Sequence, residues 1–141
     1  MKNPIKYSLT LFLFILGLNS CQKEEVYKTF PPPVWQVEDT KYSVNMTAVV
    51  VLPPNMQALY QKNDQIAAFV NDECRGIGQF VDNAFFITIK GLPEEISKVS
   101  FKYYNNQNQY MYSTDAFLSF EQDAIFGTID APEILTLNIV Q

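Results

Sequence analysis

Over residues 42–52 the side chains alternate with a period of two. Tyr42, Val44, Met46, Ala48, Val50 and Leu52 fall on one face, and Ser43, Asn45 and Thr47 fall on the other. Only an extended chain points successive side chains to opposite faces, so the stretch predicts a half-buried strand. Its later half is apolar on both faces through Val49 and Val51, and Pro53-Pro54 stops it because proline cannot donate to a ladder. The alternation returns at Phe85, Ile87 and Ile89 against Phe86, Thr88 and Lys90, and at Val99, Phe101 and Tyr103 against Ser100, Lys102 and Tyr104. Residues 66–70 form a continuous apolar run that suits a central strand, being too short for a helix. Further runs over residues 109–113, 117–120 and 134–140 sit between Asn, Asp, Gly and Pro clusters. About eight or nine short strands, recurring roughly every dozen positions, predict an all-β domain: an antiparallel β-sandwich of immunoglobulin-like type. Residues 55–62 are expected to add a helix of at most two turns.

With 141 residues, 48% of them hydrophobic, the chain is long enough for one core and short for two domains. Its formal net charge of −5 removes the electrostatic case for a nucleic-acid partner or an anionic membrane. Histidine is absent from the sequence, and with it the residue most used for proton transfer near neutral pH and for transition-metal ligation. No cofactor is expected, and no catalysis.

The N-terminus reads as an address. Lys2 and Lys6 precede an apolar run, residues 9–18, that is too short to span a bilayer and has the length of a signal-peptide core, so residues 1–20 are expected to be removed. The run ends in Leu18-Asn19-Ser20-Cys21, which resembles the lipobox of bacterial lipoproteins. The resemblance implies that Cys21 is lipidated and becomes the first mature residue. Gln22-Lys23-Glu24-Glu25 after it resembles the export tag of Bacteroidota surface lipoproteins, which implies an outer-membrane protein facing the extracellular side. A charged tether that leaves the protein periplasmic is the alternative. Several acyl chains, at about 0.8 kcal/mol per buried CH₂, hold a protein stably, so the membrane is expected as a partner through the lipid alone. Residues 21–33 close with Pro31-Pro32-Pro33, which favours polyproline II. At about 3.1 Å per residue they form a spacer that would hold the domain, residues 34–141, up to roughly 40 Å from the lipid. With Cys21 acylated, Cys74 has no partner within the chain, and stability must come from packing rather than from a disulfide.

Residues 64–78 read as a hairpin with a polar turn at Asn71-Asp72-Glu73 and a return strand from Cys74. Arg75 is the only arginine in the chain, and beside glycine on a strand it suggests a bidentate structural ion pair, with Asp64, Asp123 and Asp130 as the candidate mates. Gly76 and Gly78 make no phosphate loop, since no helix follows them. This hairpin, together with Trp35, Asn45-Met46-Thr47, Phe101-Lys102-Tyr103-Tyr104 and Gly127-Thr128, resembles a β-sandwich module of Bacteroidota surface lipoproteins and secreted proteins, from Val34 to the C-terminus. The resemblance implies a fold and a cell-surface setting and carries no catalytic residues across.

Cys74 lacks an imidazole to activate it and is expected to be a buried, inert thiol. Asp72, Glu73 and Asp82 are the acids nearest to a calcium set, but their spacing fits no EF-hand loop and solvated turn acids are the better reading. Trp35 is expected to plug one end of the sandwich. The richest candidate for recognition is residues 103–112, in which Tyr104, Asn105, Asn106, Asn108, Tyr110 and Tyr112 combine side-chain amides with flat aromatic faces. Such groups match sugar hydroxyls or peptide groups; a polar hairpin turn, with Tyr103 inward and Tyr104 outward, is the competing reading. The function expected is thus a non-catalytic binding or adhesion module for glycan or protein. A structural accessory subunit of an outer-membrane complex is the alternative, and a small hydrolase using paired carboxylates is a third.

Overall fold

The structure, a computed structural model, describes residues 25–141. Cys21 and the segment expected to be a signal peptide lie outside the described residues. Among the described residues the regular structure is nearly all strand, as the alternation predicts. In chain order the elements are β1 (Val44–Val51), a single helical turn α1 (Pro54–Gln57), β2 (Gln65–Val70), β3 (Glu73–Val81), β4 (Ala84–Gly91), β5 (Lys98–Asn105) and β6 (Tyr110–Ser113). The two-residue strands β7 (Leu118–Ser119), β8 (Ile125–Phe126), β9 (Glu133–Ile134) and β10 (Asn138–Ile139) follow. The helix expected over residues 55–62 is only this one turn. Pro54 at its start supplies a suitable φ, but an isolated short helix gains too few hydrogen bonds to propagate.

The strands form one path, β10-β6-β5-β2-β3-β4-β1-β8, with β7 on β5 and β9 on β1. The strand that links its two halves is β3. Its first residues pair with β2, as in Val70 with Glu73 and Ala68 with Gly76, and its last pair with β4, as in Gly78 with Ile87 and Phe80 with Phe85. Crossing from one neighbour to the other brings the β3 backbone against side chains and carbonyls on both. A Cβ on Gly76 would lie 2.4 Å from the Thr88 carbonyl oxygen, and one on Gly78 would lie 2.3 Å from Ile66 Cγ2. The hairpins on either side turn through Asn71-Asp72 and Asp82-Asn83, all four at positive φ, the backbone that two-residue turns with a strand-like twist require.

Most pairs are antiparallel, but β8 and β9 run parallel to β1, so the sheet is mixed rather than purely antiparallel as expected. The reason lies in the last stretch of chain. After β9 pairs with β1, the strand at one side of the ladder, the chain continues into β10, which pairs with β6 at the other side. Leu135 between them is buried in the main core. One segment therefore covers both outer strands, which are otherwise open to pairing with another chain.

The core collects the inward faces of β1 (Met46, Ala48, Val50), β2 (Ile66, Ala68, Val70), β4 (Phe85, Ile87, Ile89) and β5 (Val99, Phe101, Tyr103). Full burial of each large apolar side chain contributes about 1.5–3 kcal/mol. Cys74 is a free, buried thiol, so packing carries the described fold. On the opposite face a second cluster forms where Trp35 and Val37 cover Ala67, Phe69 and Cys74. Trp35 meets Phe69 edge-on at 5.5 Å, so it shields the outer surface of β2 and does not plug an end of the domain. Part of the stretch expected to be a free spacer is docked in the same way. Phe30 N–H donates to the Gln109 carbonyl at 2.8 Å, and Tyr27 packs edge-on against Tyr110 at 5.7 Å.

Candidate functional site

Asp64, just before β2, organises the amide-rich segment. Its buried carboxylate accepts from Gln61 N–H at 2.9 Å, Asn106 N–H at 2.8 Å, Asn105 Nδ2 at 3.3 Å and the Tyr103 hydroxyl. A buried carboxylate with no adjacent cation is tolerable only when its lone pairs are filled in this manner. Burial first, and then the bond to Asp64, push the Tyr103 hydroxyl far above the usual phenol range. Asn105 is buried, and its Oδ1 accepts from the N–H groups of Gln107 and Asn108, each at 3.1 Å. Asn108 in turn accepts from Tyr110 N–H at 2.9 Å and donates to the Tyr112 hydroxyl at 3.4 Å.

The turn therefore uses the Asn105 and Asn108 amides that the sequence offered for recognition. Of the six candidate residues, Asn106 alone is exposed; Asn108, Tyr110 and Tyr112 are half-buried, Asn105 is buried, and Tyr104 is fully buried. Tyr104 does point away from Tyr103, but the N-terminal segment lies over it, and its hydroxyl donates to the Phe30 carbonyl at 3.1 Å. The expectation of an outward, ligand-ready Tyr104 is corrected by that cover.

Arg75 forms the structural ion pair, with a different mate. Between Ala68 and Phe69 the β2–β3 register shifts, so that Arg75 is the extra residue of a bulge, which re-aims its side chain. The guanidinium reaches Glu95 with two bonds of 3.2 Å, donates to the Lys90 carbonyl at 3.2 Å, and stacks 3.9 Å from the centre of the Tyr42 ring. Asp64 is occupied by the amide turn, and Asp123 and Asp130 are exposed elsewhere. Burial pulls the Glu95 carboxyl upward, but bonds from Leu92 N–H, Ser97 and Arg75 outweigh it and hold it below the usual range. Glu73 sits beside this group, bonded to Lys41 at 2.7 Å and to the Tyr42 hydroxyl, and both bonds lower its pKa. Arg75 Nε lies 3.5 Å from Glu73 and is a buried donor without a hydrogen-bond partner among the described residues.

The remaining sequence candidates have structural surroundings. Burial raises the Cys74 thiol pKa, which keeps it a poor nucleophile. Asp72 pairs with Lys102 at 3.2 Å and Glu73 with Lys41, while Asp82 belongs to the β3–β4 turn; among the described residues no His, Cys, Asp or Glu cluster suited to a metal forms.

A site that the sequence reasoning missed lies between α1 and the β3–β4 hairpin. Tyr60 and Phe80 stack with ring centres 4.0 Å apart and planes 29° from parallel, and Phe85 meets both rings, at 5.6 and 4.9 Å. With Leu52, Gln57 and Asn83 these rings line a cleft of about 190 Å³. Phe80 is 39% exposed, much for an aromatic residue inside a cluster. Gln57 is held over the cleft by a bond from its Nε2 to the Leu52 carbonyl at 2.8 Å, and Asn83 by the turn that follows β3. The signal available in the sequence was Asp82-Asn83, a turn dipeptide that places Phe80 two residues from a hairpin tip. Compared with known proteins, the chain matches no family model, no curated protein and no solved structure.

Proposed function

We propose that this chain is a non-catalytic binding module that takes a glycan in the cleft between α1 and the β3–β4 hairpin. In this reading it is displayed on the outer face of the outer membrane by acyl chains on Cys21. The observation that carries the glycan reading is the partly exposed Phe80–Tyr60 stack flanked by the Gln57 and Asn83 amides. An aromatic face suits the C–H face of a sugar ring, and a side-chain amide can both donate to and accept from its hydroxyls. At about 190 Å³ the cleft is smaller than a drug-sized pocket, which suits one or two rings of a longer chain. The absence of histidine, and the engagement of Asp64, Glu73 and Glu95 in bonds within the fold, support binding without bond cleavage.

The test is a glycan array probed with the lipidated full-length protein in detergent, repeated with Phe80→Ala and Gln57→Ala. Specific hits that both substitutions weaken are expected. An array without hits, or hits indifferent to both changes, overturns the reading.

A further inference from the structure

We infer that the sugar this cleft takes is the headgroup of a glycolipid in the membrane that anchors the protein. The inference rests on the glycan and lipid-anchor readings above and adds the source of the ligand. Strand registers put the cleft and the docked N-terminal segment at one end of the domain. Gln65 pairs with Tyr104 and Val50 with Phe85, so the loops that leave those strand ends emerge together: α1 and residues 58–64, the Asp82-Asn83 turn, and residues 106–109. Asn106 N–H bonded to Asp64 and Phe85 packed 6.4 Å from Tyr103 tie these loops into one surface. Tyr27 and Phe30 dock on Tyr110 and Gln109 at this same end.

That docking fixes the stand-off. A fully extended chain covers at most about 3.3–3.6 Å per residue, so a tether from Cys21 to Tyr27 could reach at most about 20 Å, half the reach of a free spacer running to Pro33. The end that carries the cleft is therefore the end held next to the bilayer. It also carries exposed apolar side chains, Leu59 and Val81, each next in sequence to a ring of the Tyr60–Phe80 stack, which can meet the interfacial layer around a headgroup. A soluble glycan would have to enter the narrow gap between domain and membrane, whereas a headgroup is already there.

The experiment uses the lipidated protein in phosphatidylcholine vesicles and follows amide hydrogen exchange. Three states are compared: vesicles alone, vesicles containing lipopolysaccharide, and vesicles given the oligosaccharide released from the same lipopolysaccharide. Protection of residues 53–63 and 78–86 is expected at about tenfold lower total sugar when the sugar is membrane-borne, since confinement raises its effective concentration. Phe80→Ala is expected to abolish protection in both cases, and residues 92–97 at the other end, including the 97% exposed Ile96, to stay unprotected. Equal protection by free and membrane-borne sugar overturns this inference and leaves the glycan reading standing, as does lipid-dependent protection confined to residues 92–97. Protection by neither form also overturns this inference, while the array alone decides the glycan reading.

Discussion

Arg75 shows how much a single side chain can depend on contacts remote in sequence. That a lone guanidinium beside glycine on a strand would pair with a carboxylate was legible, because such a group is rarely left buried and alone. Its mate was not. The bulge that re-aims Arg75 arises from the β2–β3 register, and Glu95 arrives from the loop between β4 and β5, twenty residues away. The same holds for Tyr104, whose direction followed from alternation but whose cover, Phe30, lies 74 residues earlier in the chain. Because Arg75 is buried against the Tyr42 ring and the half-buried Glu95, removing one charge leaves the other partly desolvated without its mate. Arg75→Met is expected to destabilise the protein by about 3–5 kcal/mol, and the double change Arg75→Met/Glu95→Met to recover most of that loss. Urea unfolding of the three proteins checks this; a double variant no more stable than the single one contradicts the pairing.

At the scale of elements, the strands were largely readable, and their pairing was not. Residues 42–52 announce β1 because one face is buried throughout, whereas β8 is too brief to show a period, and the run over residues 134–140 is split between β9 and β10 because β1 and β6 each offer an edge to pair with. The glycines of β3, which the sequence marked only as no phosphate loop, prove to be sites of close approach. Gly76→Ala would press a methyl against the Thr88 carbonyl, which is backbone, and Gly78→Ala against the Ile66 side chain, which can shift. Overpacking of this kind costs about 1–3 kcal/mol, and Gly76→Ala is expected to be the costlier change. Thermal unfolding followed by circular dichroism compares them; equal and negligible shifts would show that β3 does not sit so tightly between its neighbours.

For the whole molecule, charge and packing meet in the acid response. The Glu95 carboxyl is held below its ordinary range, so its folded form binds a proton less readily than its unfolded form. Its contribution is fully present above the unfolded value of about 4.3 and is lost as pH falls through the lower, folded value. Glu73 shifts in the same direction but is exposed and screened. The protein is expected to lose stability between about pH 5 and pH 3, and Glu95→Gln to be less stable near neutrality with a flatter acid slope, as urea midpoints across that range would record. An unchanged slope would mean that Glu95 is not held as described.

The functional claim places recognition on the Tyr60–Phe80 cleft rather than on the amide-rich turn, where sequence reasoning had put it. Calorimetric titration of the lipidated protein with a glycan identified on the array separates the two surfaces. Phe80→Ala is expected to weaken binding by about tenfold or more, ~1.4 kcal/mol, while Asn106→Ala leaves it unchanged. Loss of binding with Asn106→Ala and none with Phe80→Ala would contradict the claim.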